Sequence, residues 1–287
     1  MENNRQKKNW FIIILFWILI FLLILIFAVL YVQPSVFFYP WHDSKSYDVL
    51  KDIDSFEEIK IQNGKNTISG WVKYNKPKED KSPLIIMYGG NAQNSSNTCN
   101  WFYEDKIFET VFKDYNFLIV DYPSYGLSTG YLSEKTMFDT AIKAYEYAEK
   151  QEYVDKDKIV VLGFSIGTGV ANYVTSEKDP HGLILVAPYD RALSLYNNAI
   201  NIFHGPMKLL TRYKFDSISY AEKIKTNPLV ITSTDDEVIS YKLSENLSTY
   251  YNNNPEYMCI EDALHNDYFL RQEVLDKISE YLDNKLK

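Results

Sequence analysis

The 287-residue chain holds only two cysteines, Cys99 and Cys259. Two are too few for a disulfide framework, which excludes the small scaffolds stapled by several bridges. Cys259 lies in an apolar run that reads as a core strand, so a buried free thiol is expected there rather than half of a bridge. The four histidines, His42, His181, His204 and His265, show no ligand spacing with one another or with either cysteine, and no metal centre is expected. Internal repeats, low-complexity tracts and long linkers are absent. Positive charge is scarce: 30 Lys and Arg face 38 Asp and Glu, a formal net charge of −8. The first 32 residues hold three of the basic residues and one acid, which leaves the remainder near −10. That balance excludes nucleic acid as a partner, because phosphate binding needs clustered Lys and Arg. It also argues against charge drawing the domain onto anionic lipid, so membrane proximity is expected from an anchor alone.

One long apolar run is present. Phe11 to Val32 carries no charge over 22 residues, enough to cross a hydrocarbon core of about 30 Å at about 1.5 Å per residue. A cleaved signal peptide would have a shorter apolar stretch and a small-x-small cleavage site. The run instead ends Ala28-Val29-Leu30-Tyr31-Val32-Gln33-Pro34. The expectation is an uncleaved signal anchor over 11–32 that holds the protein to a bilayer, with Trp10 and Tyr31 at its two interfaces. Arg5, Lys7 and Lys8 precede the span and the next basic residue is Lys45. The positive-inside rule then leaves 1–10 as a cytoplasmic tail and places 33–287 outside, in the periplasm if the cell is bacterial with an outer membrane.

The rest of the chain is organised around Gly163-Phe164-Ser165-Ile166-Gly167. The β-branched run 158–162 precedes it as a buried strand, and 168–177 follows as a helix. A serine on the sharp turn between strand and helix is a nucleophile elbow. Side chains at Gly163 and Gly167 would collide with neighbouring elements, and the turn aims the Ile166 N–H where an oxyanion would form. Upstream, 56–62 and 67–74 alternate apolar and polar about Asn63-Gly64, which predicts an antiparallel hairpin. Six further strands are expected at 83–88, 117–121, 158–162, 182–187, 228–233 and 256–260. Helices are expected at 95–113, 134–151, 168–177, 241–252 and 267–284. The alternation predicts an α/β fold: a mostly parallel eight-stranded sheet with helices on both faces, in one domain over 33–287.

Ligands bind at the carboxyl ends of such strands. Gly89-Gly90-Asn91-Ala92 follows the third strand, and a free N–H at Asn91 or Ala92 is the second candidate oxyanion donor beside Ile166. Asp121 opens the loop 121–130, expected to wall the pocket; it precedes the serine, whereas the hydrolase order is serine, acid, histidine. Asp235-Asp236-Glu237 follows the seventh strand, with Asp236 the first choice of orienting carboxylate and Asp235 the second. His265 follows the last strand and is the candidate general base. Residues 190–227 form a short cap-like insertion, with a helix expected over 190–203 and His204 near the pocket. Its apolar and aromatic content points to a hydrophobic substrate.

On these motifs the sequence resembles the single-span, membrane-anchored α/β-hydrolases of the serine-aminopeptidase-like superfamily, a group that includes protein depalmitoylases and bacterial relatives. The matching pieces are the anchor followed by Phe38-Tyr39-Pro40, Gly90-Asn91-Ala92, the loop 121–130, Gly163 to Gly169, Ala187-Pro188-Tyr189-Asp190, Asp235 to Val238 and Leu264 to Asp267. The resemblance implies Ser165, Asp236 and His265 as a triad that cleaves an ester or thioester through an acyl-enzyme, without metal or organic cofactor. Two departures bear on the pocket. Gly89 stands where the family has histidine, and Thr232-Ser233 stand where it has glycine. The alternatives are a serine peptidase, an acyltransferase, or a non-catalytic interaction module on the same fold.

Overall fold

The computed structural model describes residues 2–42 and 44–287, with backbone alone at 2–8, Val36 and Ala199. The side chains of Arg5, Lys7 and Lys8, on which the charge bias rests, therefore lie outside the described part.

Helix α1 spans Glu2–Phe37, and its stretch Asn9–Ser35 is long and apolar enough to cross a membrane, with none of its most apolar window buried against the protein. It runs five residues past the expected end of the anchor, through Pro34. Proline has no N–H to bond the carbonyl four residues back, and here the Leu30 carbonyl is met instead by Arg212 Nη1 at 3.5 Å. Phe38 then enters the core. A short helix α2, Ser44–Leu50, was not foreseen; it lays Leu50 against β-sheet residues.

Strands β1 (Phe56–Asn63) and β2 (Asn66–Lys73) form the expected hairpin, closed with Gly64 at φ +62°. Then follow β3 (Ser82–Tyr88), β4 (Asn116–Val120), β5 (Val154–Phe164), β6 (Gly182–Val186), β7 (Pro228–Ser233) and β8 (Glu256–Ile260). The sheet order is β1-β2-β4-β3-β5-β6-β7-β8, with β1–β2 and β2–β4 antiparallel and every other pair parallel. Central strands are apolar throughout because both faces are covered. Ile86, Val161, Leu185 and Val230 face one layer, with α5 (Glu134–Ala148) and α6 (Ile166–Lys178). Ile85, Leu162, Ile184 and Ile231 face the other, with α3 (Ser95–Glu104) and α10 (Gln272–Leu286).

Three expectations need correction. The single helix over 95–113 is two: α3, then α4 (Ile107–Thr110), separated at Lys106, whose φ of +57° is left-handed. The turn lets Phe108 and Phe112 meet Phe117 and Phe102. The insertion helix is shorter than 190–203: α7 covers Ala192–Ala199, followed by a 3-10 turn Gly205–Leu210 and α8 (Ser217–Ala221). Cys259 is exposed, not buried. Strand β8 is an edge strand that alternates, and its odd-numbered side chains face outward. Helix α9, Tyr241–Ser248, sits within its expected span.

Candidate active site

Five loops at the carboxyl ends of the strands converge on Ser165. The elbow is sharp: Ser165 has φ +55° and ψ −124°, a region that costs a non-glycine residue of order 1–3 kcal/mol and persists only where surroundings hold it. The flanking glycines are what let the turn close. A Cβ on Gly167 would fall 2.0 Å from the Tyr88 carbonyl oxygen, and one on Gly163 2.7 Å from the Gly167 oxygen. The Ser165 N–H bonds Val186 O, and Thr168 Oγ1 donates to Ser165 O, which locks the turn to β6 and α6.

The serine is joined to His265 and Asp236 by an unbroken hydrogen-bond chain. His265 Nε2 lies 2.8 Å from Ser165 Oγ. His265 Nδ1 lies 2.9 Å from Asp236 Oδ2 and 3.0 Å from Oδ1. All three residues are buried, at 7%, 7% and 8% exposure, so the chain is shielded from competing water. Asp236 is fixed from behind by the N–H groups of Val238 and Ile239 on Oδ1, and by Tyr268 Oη, which donates to Oδ2 at 2.9 Å. Burial pushes the Asp236 carboxyl up, but the bond to His265, its charge and the two N–H donors outweigh that and hold it below the usual range. His265 is held through its own N–H, which donates to Glu237 Oε2, and its ring stacks on Phe164 at 5.3 Å.

The two neighbouring acids point in different directions, Asp236 alone toward His265. Asp235 turns away, taking Thr234 Oγ1 and the Asp262 N–H, and reaches His265 through no described bond. Asp121 is buried and braces loops: its carboxylate accepts from Ser95 N and Leu127 N, with no described bond to His265. The loop 121–130, expected as pocket wall, instead supports the neighbouring loop through Tyr125 Oη, which donates to Asn91 Oδ1 at 2.7 Å. His204 bonds Asn201 on the surface and does not line the cleft.

Asn91 is a junction. Its Oδ1 accepts from Tyr39 N, Tyr125 Oη and Ala92 N, and its Nδ2 donates to Phe37 O. The side chain thus ties the end of α1 to the loop after β3. Ala92 N–H is spent on that side chain, whereas the backbone N–H groups of Asn91 and Ile166 make no hydrogen bond among the described residues. Gly89, in the place of a family histidine, has only one atom near where a Cβ would go, Gln93 Oε1 at 3.7 Å. Thr232 and Ser233 are buried in β7, where Ser233 Oγ accepts the Asp235 N–H.

Two hollows share Asn91, Ser165 and Val238 as walls. One, of about 610 Å³, is lined by Phe37, Leu195, Tyr196 and Ile239 beside Ile166. The other, of about 380 Å³, is lined by Trp41, Gln93, Asn97, His265 and Asn266. Neither lining includes a Lys or Arg. Sequence reasoning missed Glu237, Tyr268 and Phe37 as parts of this site. Glu237 adjoins the acid it accompanies, but nothing local marks Tyr268 or Phe37.

Comparison with known proteins agrees with this architecture. Residues 82–223 match the alpha/beta hydrolase fold family. Alpha/beta hydrolase domain-containing protein aho-3 of Caenorhabditis elegans is 30% identical over 168 residues, 58% of this chain and 49% of that protein. Alpha/beta hydrolase domain-containing protein 17C of Mus musculus is 28% identical over 173 residues, 60% of this chain and 52% of that one. The chain thus spans about half the length of these curated relatives. Among solved structures, an esterase of Pyrococcus furiosus superposes with a TM-score of 0.64 at 18% identity, covering 86% of this chain and 96% of its own. Est1E of Butyrivibrio proteoclasticus, solved with ferulic acid, has the same TM-score and identity over 79% of this chain and 99% of its own. The matched segment runs from β3 through the elbow to α8, within an eight-stranded sheet that superposes on these solved structures, and the chain accordingly has the alpha/beta hydrolase fold.

Proposed function

We propose that the protein is a serine hydrolase tethered to a bilayer by α1, cleaving an acyl ester or thioester with Ser165 as nucleophile, His265 as general base and acid, and Asp236 as orienting carboxylate. The observation that carries this is the Ser165–His265–Asp236 hydrogen-bond chain, built on a strained elbow in a shielded cleft.

His265 Nε2 takes the Ser165 proton as Oγ bonds to the substrate carbonyl carbon. The carbonyl electrons move to oxygen, and the free N–H groups of Ile166 and Asn91 stabilise that oxyanion. Asp236, kept ionised by its four donors, fixes the Nδ1–H tautomer and stabilises the imidazolium. The bond to the leaving group then breaks, and His265 returns the proton to the departing oxygen or sulfur. Water, deprotonated by the same nitrogen, attacks the acyl-enzyme and releases the acid and Ser165. His265 lines the smaller hollow, the more polar of the two, and in this reading that side takes the leaving group. The larger, apolar hollow between Leu195, Tyr196 and Ile239 is left for the acyl chain. Linings without Lys or Arg favour a neutral acyl group over an anionic one. In this reading 11–32 is the anchor, 1–10 its cytoplasmic tail, 33–287 the catalytic domain, and the 190–227 insertion a cap that supplies Leu195 and Tyr196.

The test is fluorophosphonate labelling of the full chain in detergent, beside Ser165→Ala and His265→Ala. Labelling of the parent should vanish in Ser165→Ala and fall steeply in His265→Ala. A folded parent that takes no label would sink the proposal and favour the non-catalytic module.

A further inference from the structure

The acidic average of the domain conceals a local exception. Residues 200–214 contain no Asp or Glu but hold Lys208, Arg212 and Lys214. The same stretch exposes Ile200, Ile202, Met207 and Leu209, at 58%, 52%, 42% and 85%. Exposed apolar side chains in a segment whose only Asp, Glu, Lys or Arg residues are basic suit a lipid interface.

Its position agrees. The part from Leu210 to Arg212 is hydrogen-bonded to the end of the membrane-crossing stretch, while Arg212 Nη2 also donates to Tyr131 Oη and the Lys214 N–H donates to Glu134 Oε2, which fixes the far end of the segment to the domain. Gln33 Nε2 donates to Leu210 O at 2.6 Å, and Gln33 Oε1 accepts from Arg212 N at 2.7 Å and from Tyr196 Oη at 2.9 Å. Arg212 Nη1 meets the Leu30 carbonyl that Pro34 leaves free. Gln33 is the first polar side chain after the apolar run, so it marks the depth at which α1 leaves hydrocarbon. A segment clamped to Gln33 and Leu30 stands at that depth, beside the helix. The apolar hollow begins at the same place, because Phe37 and Tyr196 are its walls and Tyr196 bonds Gln33.

We propose that residues 200–210 are a second membrane contact, seated in the leaflet where α1 emerges, and that the apolar hollow receives its acyl chain from that leaflet. The proposal rests on the tether and hydrolase readings above and names the source of their substrate. In mechanical terms, α1 holds the domain at the surface and the 200–210 segment sets its tilt, turning the mouth by Phe37 and Tyr196 toward lipid.

The experiment uses the full chain with Cys259→Ser, reconstituted in vesicles of phosphatidylcholine and phosphatidylglycerol, with an environment-sensitive nitrobenzoxadiazole label on Leu209→Cys. Lys156→Cys, exposed near the amino end of β5 and so on the far side from Ser165, is the control. The label at 209 should be quenched by doxyl-labelled phosphatidylcholine, and the label at 156 should not. Label at 209 that is shielded from water yet unquenched would mean a protein contact such as a second copy, and would overturn the proposal; so would a label in water. A chain that does not float with the vesicles would overturn both tether and proposal. A second arm compares hydrolysis of a long-chain ester in vesicles with a soluble short-chain ester. Met207→Asp with Leu209→Asp should lower the first by at least about tenfold and leave the second unchanged, since charge disfavours seating in the interface. Equal effects on both substrates would refute loading from the leaflet. Failure of the parent on the soluble ester would instead refute the hydrolase reading, and the depth measurement is independent of it.

Discussion

Replacing Asn91 by alanine tests how the end of α1 and the candidate oxyanion loop depend on one another. The side chain makes four hydrogen bonds, to Tyr39 N, Tyr125 Oη, Ala92 N and Phe37 O. At about 1 kcal/mol each, they hold the loop by roughly 3–4 kcal/mol. Without them the Asn91 N–H loses its fixed direction. Loss of one oxyanion donor costs about 10²–10³ in rate, so kcat for a soluble short-chain ester should fall by about that factor. KM should change little, because the donor acts on charge that develops after binding. Tm should fall as well, since Tyr125 is almost fully buried and its hydroxyl loses this acceptor. Asn91→Asp separates the two effects. It keeps an acceptor for Tyr39, Tyr125 and Ala92, so it should hold Tm closer to the parent. It also puts a carboxylate beside the oxyanion position, so kcat should still drop. Steady-state kinetics and thermal melts of the full chain in detergent measure both. An Asn91→Ala chain with kcat within about threefold of the parent would refute the oxyanion role of this loop.

Asp236→Asn should leave the fold intact and lower kcat by about 10⁴, because asparagine can hold the histidine in the wrong tautomer; a loss below tenfold would move the orienting role elsewhere. The low-pH stability should change in the same variant. Asp236 has its folded-state pKa depressed below the ordinary 3.8, so its contribution is present above that value and lost as pH falls through the folded value. Denaturant melts from pH 6 to about 2 should therefore show a shallower acid decline for Asp236→Asn than for the parent. Truncation offers a separate check on the juxtamembrane segment. A chain starting at residue 33 should keep soluble-ester activity, whereas one starting at 42 should lose it, since it lacks the buried Phe38, the Phe37 carbonyl and the Tyr39 N–H. Equal activity of the two would detach that segment from the site.

Much of this protein is legible in its order of residues, because the relevant forces are local. An uncharged run of 22 residues is apolar whatever it touches, so a helix long and apolar enough to cross a membrane was visible at once. The elbow was visible because Gly163 and Gly167 are needed within one turn of Ser165. The strands were visible because residues covered on both faces are mostly apolar, and Ser165, Asp236 and His265, which the fold joins by hydrogen bonds, stood out as candidates because ligands bind at strand ends. What the sequence left open are choices made across long separations. Asp235 and Asp236 are adjacent and chemically identical; only the packing of β7 against β8 turns one to His265 and the other to Asp262. Asn91 meets Phe37 across 54 residues and Gln33 meets Leu210 across 177, pairings that no periodicity announces. Cys259 reads as core until β8 is placed at the edge of the sheet. Basic and apolar residues in 200–214 vanish into an acidic average until the fold sets them beside the end of α1. Burial and pairing depend on which distant surfaces meet, and tertiary structure alone decides that.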